Sequence, residues 1–215
     1  MFVLIFSGRL LSQKGIIEFE GGGKMYSTYQ IRIKKGHRFY HYCDEMCFNA
    51  KNLFNTTNFY IRQIFTAFNN EKRHELQKEV LELIDFHLPE MNQVKVEYVE
   101  KRKQKELKKP KDERKEVKEA VLFEKPTEKK KFIGYGFLDA LFKVSKQADY
   151  IALPGQVNQQ VMRVVLQNWK SFFTSLKDYK ENIQKYTGRP KLPKYAPKKW
   201  AKRMHFFKSS MRDQK

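Results

Sequence analysis

The residues best suited to metal chemistry lie close together, at His37, His41, Cys43 and Cys47. Imidazole and thiolate groups are common Zn²⁺ ligands, but this spacing matches no zinc finger, ribbon or knuckle. Two cysteines four residues apart on a predicted helix are also too few and too close for a disulfide framework. We therefore interpret both cysteines as small apolar helix residues in a reducing compartment.

A glycine run, Gly21-Gly22-Gly23-Lys24, is the one candidate phosphate loop. It fails as a Walker motif, because Met25 stands where Ser or Thr would hold magnesium and Glu18 stands in place of the first glycine. No Ser-His-Asp or paired-carboxylate pattern stands out either. The sequence thus predicts no catalytic residue, no metal site and no cofactor in this chain.

The excess of basic over acidic residues predicts that the protein binds polyanions. Lys and Arg number 44 against 24 Asp and Glu, a net charge of +20. Such an excess favours polyanionic partners through counterion release, so we expect salt-dependent binding to DNA or RNA. The 18 Phe and 11 Tyr exceed the content of a disordered basic tail and could fill a core or stack on bases. The short apolar run Phe2 to Phe6 is too short for a signal peptide or membrane span, which favours a cytoplasmic protein without a membrane partner.

Hydrophobic periodicity predicts the elements that position these charges. Residues 26–35 alternate as a strand, and Gly36 ends it. A three-and-four spacing predicts a long helix over 38–68 and a second over 71–86, ending before Pro89. Lys101 to Lys131 is dense in charge, so we expect a solvated helix or a partly disordered insertion.

The second half of the chain predicts a short helix, Phe137 to Ser145, and a long one beginning near Gln156. The apolar face of the long helix is predicted to comprise Val157, Val161, Val164, Val165, Trp169, Phe172, Phe173 and Leu176. After Tyr186 the chain is basic and punctuated by prolines, which predicts an extended segment accessible to phosphates.

Three stretches, taken in order, resemble a known family: RIKKGHRFYHYCDEMCFNAKNLFN at 32–55, ALPGQVNQQVMRVVLQNWKSFF at 152–173, and GRPKLPKY at 188–195. Together they are similar to the amino-terminal region of TnpB (OrfB family) transposon proteins, relatives of the miniature type V CRISPR nucleases. The resemblance covers about residues 26–195.

The resemblance implies a mainly α fold: a helical recognition bundle with long amphipathic helices, plus one or a few strands of an incomplete wedge-type barrel. It implies guide RNA and target-flanking DNA as partners. Gln159 aligns with a glutamine that reads the flanking motif, and Tyr135 with a motif-contacting tyrosine. Gly155 replaces a basic residue of some relatives, so the motif itself does not transfer. The acidic triad of the RuvC nuclease domain and its zinc ribbon have no counterpart here, so we expect no cleavage by this chain alone.

The resulting domain hypothesis has six parts. They are a possible translated, poorly ordered leader at 1–24, a first wedge strand at 25–36, a helical recognition region at 37–100, a charged flexible insertion at 101–131, a second helical recognition region at 132–186, and a basic proline-rich return segment of a truncated wedge at 187–215. A purine-rich ribosome-binding sequence encoded just before Met25 suggests that Met25 is the true start. The tail after Ala196 fits the family poorly, which suggests a frameshift near Lys198.

The predicted nucleic-acid-binding residues are basic, amide or aromatic. They are Arg32, Lys34, Lys35, His37, Arg38, Lys51, Asn52, Asn55, Arg62, Tyr135, Gln159, Gln160, Arg163, Lys170, Arg189, Lys191 and Lys194. Two alternatives to a non-catalytic binding protein remain open. The chain could be one part of a split nuclease completed by a separate RuvC polypeptide, or a regulator that binds DNA through a helix-turn-helix at Phe137 and Gln156.

Overall fold

A computed structural model describes residues 2–9, 11–12, 15–16, 26–69, 72–197 and 203–207, with side chains described for 33–69 and 72–197. The fold is mainly helical, as predicted. The helices are α1 (Tyr40–Ala67), α2 (Glu75–Leu107), α3 (Tyr135–Val144), α4 (Ala148–Ile151) and α5 (Gly155–Glu181). The chain divides into two units, which we call unit 1 (residues 1–55 and 152–215) and unit 2 (residues 56–151).

The strands all belong to unit 1: β1 (Phe2–Arg9), β2 (Leu11–Ser12), β3 (Gly15–Ile16), β4 (Tyr26–Ile33) and β5 (Arg203–Phe207). β1 lies between β4, which it pairs antiparallel, and β5, which it pairs parallel. β4 occupies the segment in which alternation predicts a strand, whereas β1 to β3 lie within the segment predicted as a poorly ordered leader. The wedge-type barrel and the start at Met25 stay predictions, and Met25 and Lys198 lie outside the described residues.

The buried side chains of unit 1 lie mainly on the first half of α1 and on α5. The buried side chains include Cys43, Met46 and Leu53 of α1 and Met162 and Trp169 of α5. Cys43 and Cys47 are both buried and form no disulfide, in accord with the interpretation that they are apolar helix residues. The Trp169 ring lies 5.8 Å from the rings of Phe172 and Phe173, in an edge and a tilted arrangement respectively.

The apolar face predicted for α5 is too wide. Val164 is 45% exposed, while Met162, which the prediction left out, is fully buried. At 100° per residue Val164 lies about 160° around the helix from Met162, which shares the buried face with Trp169, so Val164 points away from the core. α1 and α3 are confirmed within two residues of their predicted ends, and α5 begins one residue before its predicted start.

Unit 2 is built from the second half of α1 with α2, α3 and α4. Ile61 and Ile64 of α1, Ile84 of α2 and Leu138 and Phe142 of α3 are fully buried. A polar link joins α1 to the start of α2: Gln77 Nε2 donates to Thr66 Oγ1 at 2.9 Å, while Gln77 Oε1 accepts from the His74 backbone N–H. Burial of Gln77 at 3% exposure is therefore compensated by hydrogen bonds at both ends of its amide.

The predicted end of the second helix before Pro89 is wrong, because α2 continues through Pro89 to Leu107. Proline removes one backbone hydrogen bond and disfavours the preceding turn, a cost that tertiary packing can offset. Ile84 and Met91 flank Pro89 and are both buried, so the helix is held on either side of it. The part of the chain predicted as a flexible insertion begins inside this helix.

The remainder of that insertion has a defined path. Residues 114–131, which we call the strap, contain no helix or strand and lie along α2. The Asn92 side chain donates to the Phe123 carbonyl at 3.0 Å and accepts from the Phe123 N–H at 2.7 Å. Lys95 of α2 lies 4.0 Å from the Phe123 ring centroid, and Lys125 forms an ion pair with Asp85 at 2.9 Å. Paired contacts along α2, rather than an apolar stripe, hold this charged segment in place.

Candidate nucleic-acid interface

A shallow groove of about 410 Å³ opens along α5 in unit 1. One wall is a helix face whose residues follow the i, i+3, i+4, i+7 spacing: Asn168, Ser171, Phe172 and Ser175. The other wall comes from residues 187–197, which we call the proline segment, and consists of Pro190, Lys191, Pro193 and Lys194. An aromatic ring, hydroxyls, an amide and two ammonium groups therefore meet in one open depression.

The proline segment is extended for a local reason. Pro190 and Pro193 restrict φ and cannot continue a helix, and residues 187–197 contain no helix or strand. Lys191 and Lys194 both line the groove.

One asparagine fastens the proline segment to α1. The Asn55 side chain accepts from the Ala196 N–H at 2.7 Å and donates to the Ala196 carbonyl at 3.3 Å. This pairing imitates one rung of an antiparallel sheet. Asn55, which stays a predicted nucleic-acid contact, positions the wall that carries the lysines.

A carboxylate fastens the other end, where the chain leaves α5. Asp178 accepts hydrogen bonds from the Tyr186 hydroxyl at 2.7 Å and the Asn182 amide at 2.8 Å, and its nearest cation is Lys185 Nζ at 3.5 Å. These contacts, with the Tyr186 hydrogen bond foremost, lower the pKa of Asp178 below its ordinary value. The same hydrogen bond raises the pKa of Tyr186. The segment thus begins and ends on specific side-chain contacts.

The charge of the proline segment is unbalanced. It contains Arg189, Lys191 and Lys194 and no acidic residue, and all three cations are exposed. Within the described residues, neither Arg189 nor Lys191 forms an ion pair with a carboxylate. Arg163 and Lys170 add exposed positive charge on α5.

A second group of predicted residues surrounds the turn between β4 and α1. Gly36 has a φ of +90°, as a turn of this kind requires, and the His37 N–H donates to the Lys34 carbonyl at 3.2 Å. Lys34, Lys35, His37 and Arg38 are all exposed. Arg32 lies in β4, and its side chain falls outside the described set. The turn therefore presents a short run of solvent-facing basic side chains.

Several predicted residues do not line the groove. Gln159 and Gln160 are half-buried near the amino-terminal end of α5, about two turns before Asn168. Lys51 and Asn52 are half-buried on α1, with the Lys51 ammonium 4.6 Å from the Phe48 ring centroid. The structure assigns these four to unit 1 but not to its groove.

Two predicted residues belong to unit 2. The Tyr135 hydroxyl donates to Asp139 Oδ1 at 3.2 Å, and the same carboxylate accepts from Tyr150 at 2.8 Å and Lys143 at 2.7 Å. Arg62 is half-buried on α1, and its carbonyl accepts from the Thr66 hydroxyl at 2.8 Å. Tyr135 therefore takes part in an Asp139-centred network that stabilises the fold of α3 and α4.

Sequence reasoning missed the helix wall of the groove. Phe172 was assigned to the core face of α5, and Asn168, Ser171 and Ser175 were not among the predicted binding residues. The sequence places Ser171 and Ser175 four residues apart and beside Phe172, on one face of the helix. Only the packing of the proline segment identifies that face as a wall of the groove.

Other kinds of site find little support among the described residues. In the described ranges no group of three or more His, Cys, Asp or Glu side chains could hold a metal ion. Of the helices that the structure describes, none combines the length and the hydropathy needed to cross a bilayer.

Comparison with known proteins adds no family. No protein-family model, curated protein or solved structure matches the chain. The resemblance to TnpB proteins consequently rests on the three sequence stretches alone, and what it implies is a matter of proposal.

Proposed function

We propose that unit 1 binds nucleic acid, with the groove between α5 and the proline segment as its main contact surface. The observation that carries this proposal is the pairing of Lys191 and Lys194 with the Phe172 ring across one open groove. Ammonium groups at this spacing neutralise phosphates, while the Ser171 and Ser175 hydroxyls and the Asn168 amide can bond phosphate or sugar oxygens. Because these contacts read backbone rather than base edges, they supply affinity more than sequence preference.

The identity that we propose is the non-catalytic, amino-terminal portion of a TnpB-like transposon protein, with guide RNA and target-flanking DNA as its ligands. The three stretches that carry the resemblance, 32–55, 152–173 and 188–195, all fall within unit 1. They include the basic turn, α5 as far as Phe173 with three of the four residues of its groove wall, and most of the proline segment. This coincidence supports the proposal, because residues distant in sequence share one compact unit with an unbalanced positive charge.

The experiment is a binding titration of the purified chain at two salt concentrations, with RNA and DNA probes. We expect affinity to fall steeply as salt rises, since each neutralised phosphate releases condensed counterions. Sequencing RNA that copurifies with the chain identifies the natural ligand. Affinity indifferent to salt contradicts the proposal, and magnesium-dependent cleavage by this chain alone contradicts its non-catalytic part.

The two alternatives predict different results. A split nuclease requires cleavage to appear when a separately encoded RuvC polypeptide is added. A helix-turn-helix regulator requires protection of a specific duplex without RNA. The helices that such a regulator would use, α3 and α5, belong to different units and are separated by α4, so no observation favours this alternative over the groove.

A further inference from the structure

Three aromatic side chains at the amino-terminal end of α1 are exposed instead of contributing to the core. Phe39 is 47%, Tyr42 54% and Phe48 57% exposed, and we call them the aromatic row. The core face of the same helix is filled by Cys43, Met46, Cys47 and Ala50, all buried. Packing of unit 1 thus gives no reason for large rings at these three positions.

Cations accompany two of the three rings. The Arg38 guanidinium carbon lies 4.6 Å from the Phe39 ring centroid, and Lys51 Nζ lies 4.6 Å from that of Phe48. The His37 ring lies 5.6 Å from Phe39 and is held there by a hydrogen bond from the Phe39 N–H to its Nδ1. The row therefore combines π faces with positive charge, and Lys34 and Lys35 extend that charge into the preceding turn.

This combination suits a nucleic-acid strand whose bases are unpaired. Bases stack on exposed rings without regard to sequence, and nearby cations hold the phosphates that join them. Tyr42 and Phe48 are six residues apart, about 9 Å along the helix and about 120° around it, so a flexible strand that contacts both must cross the helix surface obliquely. In a duplex the base faces are already stacked on one another, so duplex DNA or RNA gains nothing from the rings.

We propose that the aromatic row is a stacking platform for an unpaired RNA or DNA strand, distinct from the phosphate-binding groove on α5. This inference rests on the proposed function and specifies the ligand class that one part of unit 1 prefers. The exposed carboxylate of Glu45 lies between Tyr42 and Phe48 on the helix and repels phosphate groups at that point. The bases of the strand, and not its phosphates, therefore contact the aromatic row.

The test compares labelled single strands of about 12 nucleotides, both RNA and DNA, with the matching duplex, a length within the range of known single-strand sites. The triple variant Phe39→Leu/Tyr42→Leu/Phe48→Leu keeps apolar bulk but loses the rings. We expect single-strand affinity to fall by about 30-fold or more, duplex affinity to stay within about twofold, and the salt dependence to persist. Glu45→Gln should tighten single-strand binding by about twofold.

Phe86→Leu is the matched control, because Phe86 is a 78% exposed ring on α2 that no Lys or Arg of the described residues covers, and its loss should leave both affinities unchanged. Equal loss of single-strand and duplex binding in the triple variant, or no loss of either, overturns the stacking platform while leaving the proposed function intact. Absence of binding by the unaltered chain overturns the proposed function itself. A dimer in sedimentation that the triple variant dissociates would mean that the row contacts a second copy, and also overturns the platform.

Discussion

Two extended segments, the strap in unit 2 and the proline segment in unit 1, are fastened to helices in the same way. Asn92 exchanges two hydrogen bonds with the Phe123 backbone, and Asn55 does the same with Ala196. Each asparagine satisfies one N–H and one C=O that an irregular segment would otherwise leave to water. Similar chemistry thus holds two segments that differ in sequence and length.

The two segments also leave their helices in a similar way. α2 ends near Glu106, which accepts from Lys109 Nζ at 2.6 Å and from the Lys115 N–H at 3.1 Å, and α5 ends near Asp178 with its contacts to Tyr186 and Asn182. In both places these hydrogen bonds lower the pKa of the carboxyl group. An acidic side chain in the last turns of a helix is unfavourable for the helix dipole, so its role here is to organise the chain that follows.

The difference between the segments lies in their charge. Several cations of the strap have carboxylate partners, Lys125 with Asp85 and Lys130 with Glu124, whereas the proline segment contains no acidic residue at all. An exposed ion pair contributes little stability, but it leaves less positive potential for a phosphate. We therefore expect the proline segment to attract a polyanion more strongly than the strap, because it contains no acidic residue of its own.

We expect the largest effect from removing one aromatic ring of the strap, and a much smaller effect from removing one of the proline segment. Phe123→Ala removes a half-buried ring that contacts Phe137 at 5.5 Å between centroids and the Lys95 ammonium, so we expect a loss of about 3 kcal/mol in the free energy of unfolding. Tyr195→Ala, at a position 40% exposed in the proline segment, should cost less than about 1 kcal/mol. Chemical denaturation measures both. Equal losses would show that the segments are anchored alike by their aromatic residues.

The asparagine contacts come next. Asn92→Ala and Asn55→Ala should each cost about 2 kcal/mol, because two hydrogen bonds are lost together. Hydrogen exchange should accelerate at the Phe123 amide in the first variant and at the Ala196 amide in the second. Only Asn55→Ala should also weaken nucleic-acid binding, since it releases the groove wall. Asn55→Asp, which keeps the acceptor for the Ala196 N–H, is the control and should retain part of the protection.

Neutralising matched lysine pairs tests the electrostatic difference directly. Lys191→Ala/Lys194→Ala should reduce affinity for RNA or DNA by about tenfold at low salt and lower the slope of log affinity against log salt by about 2. Lys125→Ala/Lys130→Ala removes the same formal charge from the strap and should change affinity by no more than about twofold. Anisotropy titrations measure both. Similar losses in the two variants would mean that net charge alone governs binding.

The smallest effect concerns pH. A lowered folded-state pKa means that Asp178 stabilises unit 1 at pH above its unfolded pKa, and that this contribution disappears as the pH falls through the folded pKa. The raised pKa of Tyr186 has the opposite sense, with stability present at lower pH and lost as the pH rises through the folded pKa. Tyr186→Phe should raise the pKa of Asp178 towards its ordinary value and leave that of Glu106 unchanged. Carboxyl NMR titration measures both groups, and an unmoved Asp178 contradicts the assignment.

Periodicity was sufficient to predict much of the helical fold. α1, α3 and α5 follow from three-and-four spacing, because burial of one face determines both the residue pattern and the helix. It was insufficient for α2, because Pro89 predicted the end of the helix. The burial of Ile84 and Met91 on either side of Pro89 keeps the helix continuous. Val164 illustrates the same limit, since β-branched character alone does not decide which of two adjacent residues faces the core.

The candidate site was only partly predictable. Arg189, Lys191 and Lys194 were identified from charge and proline content, because both are properties of a short stretch of sequence. The pairings of Asn55 with Ala196 and Asn92 with Phe123 join residues 141 and 31 positions apart, and no periodic pattern encodes them. Phe172 was assigned to the core because its spacing fits the apolar stripe, and only the chain opposite it makes the ring part of a groove.

The two buried thiols allow the transient opening of unit 1 to be measured by chemical labelling. Cys43 and Cys47 are the only cysteines of the chain, and both belong to unit 1. Burial raises the pKa of the Cys43 thiol, which lowers the fraction of reactive thiolate while the helix stays packed. A disulfide-exchange reagent can therefore react rapidly only while local unfolding exposes the thiols. The rate of thiol labelling thus measures local unfolding of unit 1 separately from that of unit 2.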